Sequence, residues 1–159
     1  MAIKYSVERM GFASPARVLA QNYGAHIFST VASKDMPNGT LVLKGDYKSL
    51  DLYKQASAAA ATFEAVITDK AANGNYYVEI TKNPDHVLVV YQKPLIDEES
   101  PRSLTSLYNF YNEKDDAVRS YDTIYGDVWE LSKELFDGTP AKGKKITGVS
   151  ADGLWTVEA

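Results

Sequence analysis

The chain has 159 residues, 45% of them hydrophobic, a formal charge of −4 and no cysteine. That length and apolar content suit one domain with a sizeable core. The missing cysteines exclude disulfides, thiolate metal sites and cysteine nucleophiles, and the acidic balance argues against a general nucleic-acid binder.

The longest apolar runs, such as "VLVVY" at 87–91, fall far short of the roughly 20 residues of a membrane span. "MAIKYSVERM" lacks the apolar stretch of a signal peptide, so the expected setting is cytosol-like, with no membrane partner. Charge is unevenly spread: Lys4, Arg9, Arg17 and Lys34 against Glu8 give residues 1–34 a sum of +3, leaving −7 for residues 35–159.

Val18 to Ser33, "VLAQNYGAHIFSTVAS", holds no formal charge and shows neither sustained helical spacing nor strict alternation. Residues 1–35 therefore read as an extended N-terminal arm ahead of a β-rich body at 36–159, with a strand near His26–Val31 at the arm's end. The alternative is that this segment packs on its own body. In "MPNG", Pro37 presets φ and Gly39 supplies a positive φ, and "TLVLKG" with "LDLYKQ" predicts a hairpin over 40–55. The same turn makes "NGT" at Asn38–Thr40 read as turn chemistry rather than as a glycosylation acceptor.

"ASAAAATFEAVITDKAA" mixes the best helix former with β-branched alternation; it reads as a small-residue loop or short helix at 56–61 and a strand over Thr62–Thr68. "NGNYYVEIT" and "HVLVVYQ", separated by "KNPD", predict a central hairpin. "KPLIDEESPRS", with Asp97, Glu98 and Glu99, reads as a solvated loop. Ser100-Pro101 followed by Leu104, Leu107, Tyr108 and Tyr111 at helical spacing predicts a short amphipathic helix at 101–109. "AVRSYDTI" and "GDVWELS" are strands about a turn at Thr123–Gly126, "KELFDGTPAKGKK" is a loop with at most one helical turn, and "SADG" joins two final short strands. The fold class is therefore mainly β: a small β-barrel or sandwich built from hairpins, with one short helix and the N-terminal arm.

No phosphate-binding loop, dinucleotide fingerprint or His-Glu-x-x-His helix occurs, and no cofactor or metal is implied. His26 and His86 each lack an acidic or imidazole partner at helix-ligand spacing and read as surface or internally satisfied histidines. Asp122 with Asp127, or Glu64 with Glu79, are the carboxylate pairs that strands would have to bring together for acid–base chemistry. With 21 acidic residues such pairs also arise by chance, and the chain reads as a non-enzyme. "KGD" at 44–46 reads as a turn. The 11 tyrosines suit partly buried contact surfaces as well as ordinary strands.

At "NGTLVLKGDY", "ITDKAANGNYYVEITK", "HVLVVYQKP", "FYNEKDDAVRSYDTIYGDVWELS" and "FDGTPAKGKKI" the sequence resembles a family of small structural proteins of tailed bacteriophages, over roughly residues 36–147. Its motifs are turn-and-strand signatures: an "NGT" strand with a following "GD" turn, an aromatic "N-x-K" turn into an "R-x-Y" strand, and "GTPA". This chain departs from the pattern at Asp115-Asp116, where the family tends to glycine, and in residues 1–35. The resemblance implies a head decoration, or cement, protein on the capsid surface of the virion. Its implied partners are the major capsid protein and neighbouring copies of itself, as a homo-oligomer on the particle, with no nucleic acid bound.

On that reading the arm would order on the shell, with Lys4, Tyr5, Arg9, Phe12, Arg17, Tyr23 and Phe28 as its contact residues. Deleting residues 1–30 would then leave a folded body that binds the capsid weakly. The competing readings are another particle component, such as a head-fibre base, neck or tail protein, and a carbohydrate-active enzyme domain built on a carboxylate pair.

Overall fold

The computed structural model describes residues 5–6, 8–22, 24–49, 52–93 and 107–159. Within them twelve strands run in chain order: β1 (Ala13–Arg17), β2 (Ile27–Val31), β3 (Leu41–Ser49), β4 (Leu52–Ser57), β5 (Glu64–Lys70), β6 (Tyr76–Lys82), β7 (Leu88–Val90), β8 (Ala117–Asp122), β9 (Val128–Leu131), β10 (Phe136–Asp137), β11 (Lys145–Val149) and β12 (Trp155–Val157). Among the described residues the only helical pieces are three single 3-10 turns.

Five strands close into a barrel in the order β2-β4-β3-β7-β8, and seven form a second sheet in the order β1-β9-β6-β5-β11-β12-β10. The mainly β barrel expectation is met. Alternation along the barrel strands explains the closure. Phe28, Ala32, Val42, Leu88, Val90 and Val118 pack together with Met36, while Leu41, Val87 and Val89 face the other way and join Trp129, Ile67, Ile80 and Trp155 of the seven-stranded sheet. β7 is buried on both faces, as an unbroken apolar run requires. Side chains fill a barrel this narrow. Its interior also holds a polar chain, in which Thr30 Oγ1 and Ser120 Oγ lie 2.8 Å apart and Gln55 Nε2 donates to Thr30 Oγ1 at 3.1 Å.

The hairpin expected over 40–55 forms between β3 and β4, and "SADG" joins β11 to β12. The central hairpin does not form as expected. β6 pairs with β5 and β9 in the large sheet, whereas β7 pairs with β3 and β8 in the barrel. Asn83 causes the separation: its Oδ1 accepts from Val87 N at 2.8 Å and its Nδ2 donates to Val87 O at 3.0 Å and Thr123 O at 2.8 Å. The connection is thereby held as a crossing between sheets. β8 and β9 part in the same way, with Asp127 Oδ2 accepting from Ile124 N at 2.9 Å across their turn.

The segment read as an arm carries two strands of the body. β1 lies antiparallel to β9, and β2, the strand expected near His26–Val31, pairs with β4 in parallel and β8 in antiparallel. The lack of charge from Val18 to Ser33 follows from this placement, because Val18, Ala20, Thr30 and Ala32 are all buried. The helix expected at 101–109 lies outside the described residues up to 106, and residues 107–109 form a turn.

Candidate functional site: a basic groove beside the β5–β6 turn

Three neighbouring strands set one groove. Register places Ala13 opposite Leu131 and Leu131 opposite Tyr76. The chain before β1, the start of β6 and the chain after β9 therefore meet at one end of the sheet. The β5–β6 turn caps that end, with Gly74 at φ +90° and Asn75 N donating to Asn73 Oδ1 at 3.0 Å. The result is a groove of about 330 Å³ lined by Arg9, Lys70, Asn73, Asn75, Tyr76 and Lys133.

Its side chains are held in place by one another. The Arg9 guanidinium stacks over the Tyr108 ring, 4.1 Å from the centroid, and pairs with the Glu134 carboxylate. Tyr108 Oη donates to Asn75 Oδ1 at 3.1 Å, and the amide nitrogens of Asn73 and Asn75 both donate to Glu130 Oε1 at 3.0 Å. Burial pushes the Glu134 carboxyl up, but hydrogen bonds from Arg9 and Ser132, with the guanidinium charge, outweigh it and hold the group below its ordinary value. Lys70 lies 5.7 Å from the Tyr76 ring centre and Lys133 is exposed. Three cations against two engaged carboxylates make the groove a seat for an acidic group, with tyrosine faces beside it.

The structure brings together only some of the contact residues expected from sequence. Tyr5 bridges to Phe110, ring centroids 5.7 Å apart. Arg9 enters the groove, and Phe12 packs against Tyr108 at 5.3 Å while its amide donates to Ser132 Oγ. These three follow one path, because Ser6 N bonds to Asn109 O and Met10 N to Tyr108 O. Arg17 is exposed at the far end of β1. Phe28 is half-buried in the barrel mouth, edge-on to Tyr53 at 6.2 Å with Lys44 Nζ 4.4 Å from its ring centre. Lys4 and Tyr23 lie outside the described residues. Lys70, Asn73, Asn75 and Lys133 escaped the sequence reading, since "NGN" was legible only as a turn.

Neither carboxylate pair is built as an acid–base couple. Glu64 faces Lys82 and Glu79 faces Val66. Asp127 does lie near Asp122, but its two oxygens accept from Leu19 N at 3.2 Å and Ile124 N at 2.9 Å. Comparison with protein-family models, curated proteins and solved structures finds no match for this chain.

Proposed function

We propose that the chain is a structural protein of the tailed-phage virion, of the capsid decoration type. In this role it binds the outer surface of the head and stabilises it. It is made in the bacterial host cytoplasm and acts as a homo-oligomer against the major capsid protein. What carries this reading is that the motifs of the resemblance fall on parts that stiffen the fold rather than on groups poised for chemistry. Asn38 of "NGT" exchanges two hydrogen bonds with the Gln92 backbone, 2.8 and 2.9 Å, and receives a third from Asn112 Nδ2 at 3.1 Å. Asp127 of "GD" ties the β8–β9 turn to the start of a 3-10 turn. A rigid body with prearranged contact groups loses little conformational entropy on docking.

In this role the basic groove takes acidic side chains of a shell subunit. The deciding measurement is the copy number of the protein in purified virus particles, by quantitative mass spectrometry against the major shell protein. About one copy per shell subunit, or per small cluster of subunits, is the expected result. Around a dozen copies would reassign the chain to a neck, tail or vertex part, and absence from the particle would overturn both. On decorated particles, the Arg9→Glu, Lys133→Glu double variant is expected to bind the shell at least about tenfold more weakly, read by sedimentation with purified heads.

A further inference from the structure

We propose that one mouth of the barrel binds a divalent transition-metal ion of the zinc class through His26, His86 and Asp122. The two histidines are the only ones in the chain, and the barrel register brings both to one carboxylate. Ile27 stands opposite Tyr121, and Leu88 opposite Asp122. The residues just ahead of β2 and β7 are thereby carried to the end of β8. His26 ends the 3-10 turn Gly24–His26, and His86 holds a left-handed backbone at φ +54° in the β6–β7 crossing.

His86 Nδ1 lies 3.3 Å and His26 Nδ1 3.9 Å from the same oxygen, Asp122 Oδ2. The other oxygen, Oδ1, is buried with no hydrogen-bond partner, in a residue only 8% exposed. A buried carboxylate oxygen without a donor is costly. A simple imidazole–carboxylate hydrogen bond would leave that cost in place while spending both histidines on one atom. A cation shared by Oδ2 and the two imidazoles would instead neutralise the buried carboxylate, which lowers the cost of leaving Oδ1 without a donor.

The field around Asp122 favours a cation as well. Asp127 is a second, nearby carboxylate, and burial, aided by the Asp122 charge, holds its carboxyl above the ordinary value against the two backbone amides and His26. Because those amides occupy both Asp127 oxygens, it stands beside the site without ligating. Two imidazole nitrogens and one carboxylate oxygen form a zinc-class donor set; calcium and magnesium prefer oxygen ligands.

In tetrahedral zinc, with bonds of about 2.0–2.2 Å, neighbouring donor atoms lie about 3.4 Å apart. His86 and Asp122 already have that spacing. His26 stands about half an ångström too far out, so the three donors are not closed around an ion as they lie. The His26 side chain is 37% exposed at the end of a short turn, and binding requires it to move inward by that amount.

The test is isothermal titration of the full chain, after chelator treatment, with zinc chloride and separately with magnesium chloride, supported by melting curves. Stoichiometric zinc binding, a raised melting temperature with zinc and no response to magnesium are expected. His86→Ala, at an exposed side chain, should weaken zinc binding about tenfold or more, and His26→Ala and Asp122→Asn should do the same. Absence of zinc binding to the unsubstituted protein, or unchanged affinity in a His86→Ala variant with unaltered circular dichroism, would overturn the proposal.

Discussion

Gly39 sits between the barrel and the large sheet, and two separate constraints exclude any other residue. Its φ is +93°, and a Cβ there would stand 2.5 Å from Leu135 Cδ1 and 2.8 Å from Ala13 Cβ. Its carbonyl also accepts from Trp155 Nε1 at 2.8 Å. Gly39→Ala is expected to cost well over the roughly 1–2 kcal/mol of the left-handed backbone alone. Gly74→Ala, at φ +90° with open space around it, should cost only that backbone amount. Urea midpoints of the two variants measure the difference.

A second single-residue expectation concerns pH. The folded-state value of Glu134 is lowered, so the stability it contributes is complete above the unfolded carboxylate value and is lost as pH falls through the folded one. Glu134→Gln should flatten the acid limb of stability against pH, and equal slopes in both proteins would refute that assignment. At this scale the sequence was informative where chemistry is local: the positive φ of Gly39 followed from "MPNG". It named Asp122 only as a partner for Asp127 and did not join it to His26 and His86, because they reach that residue through strand register, which local spacing does not encode.

Strands themselves were legible, since β-branched and aromatic alternation marks them wherever they pair. Their partners were less so. β6 and β7 look like a hairpin because two good strands flank a turn, yet the Asn83 side chain that sends them to different sheets bonds twice to the Val87 backbone and reaches across to Thr123 O. The segment 1–35 was harder still, because an uncharged stretch without a period fits both an arm and two short buried strands. Its placement alters an expectation. Deleting residues 1–30 removes β1 and all but the last residue of β2, the strand that closes the barrel between β4 and β8. That variant is expected to lose its cooperative thermal transition, whereas deleting residues 1–8 should leave one. A folded, cooperative protein lacking residues 1–30 would mean that β2 is dispensable to the barrel.

On the scale of the whole molecule, the chain passes between sheet and barrel four times, from β1 to β2, β4 to β5, β6 to β7 and β8 to β9. The two layers are fastened where they meet. Tyr91, Tyr121 and Trp129 pack mutually edge-on at 5.6–6.2 Å, burial pushes the Tyr91 hydroxyl pKa up, with the Tyr121 charge adding to it, and Trp129 is fully buried. Neither layer can melt without dragging chain out of the other, so tryptophan fluorescence and far-ultraviolet circular dichroism should report one coincident transition. Trp129→Ala is expected to destabilise both layers together by about 3–5 kcal/mol. Two separated transitions would show that the barrel and the sheet fold independently.

The interleaving also determines how the molecule would answer a mechanical load. β1 lies at one edge of the seven-stranded sheet and β12, the last strand, lies next to the other edge, so both chain ends leave from the same layer. Tension applied to the ends must break the contacts of residues 5–11 with residues 108–110 and then strip β1 from β9 and β12 from β11 and β10, while the five barrel strands sit in the middle of the contour, shielded from the force. In single-molecule stretching the terminal strands should yield first, leaving a barrel that still bears load, and an early release of barrel length would contradict that order.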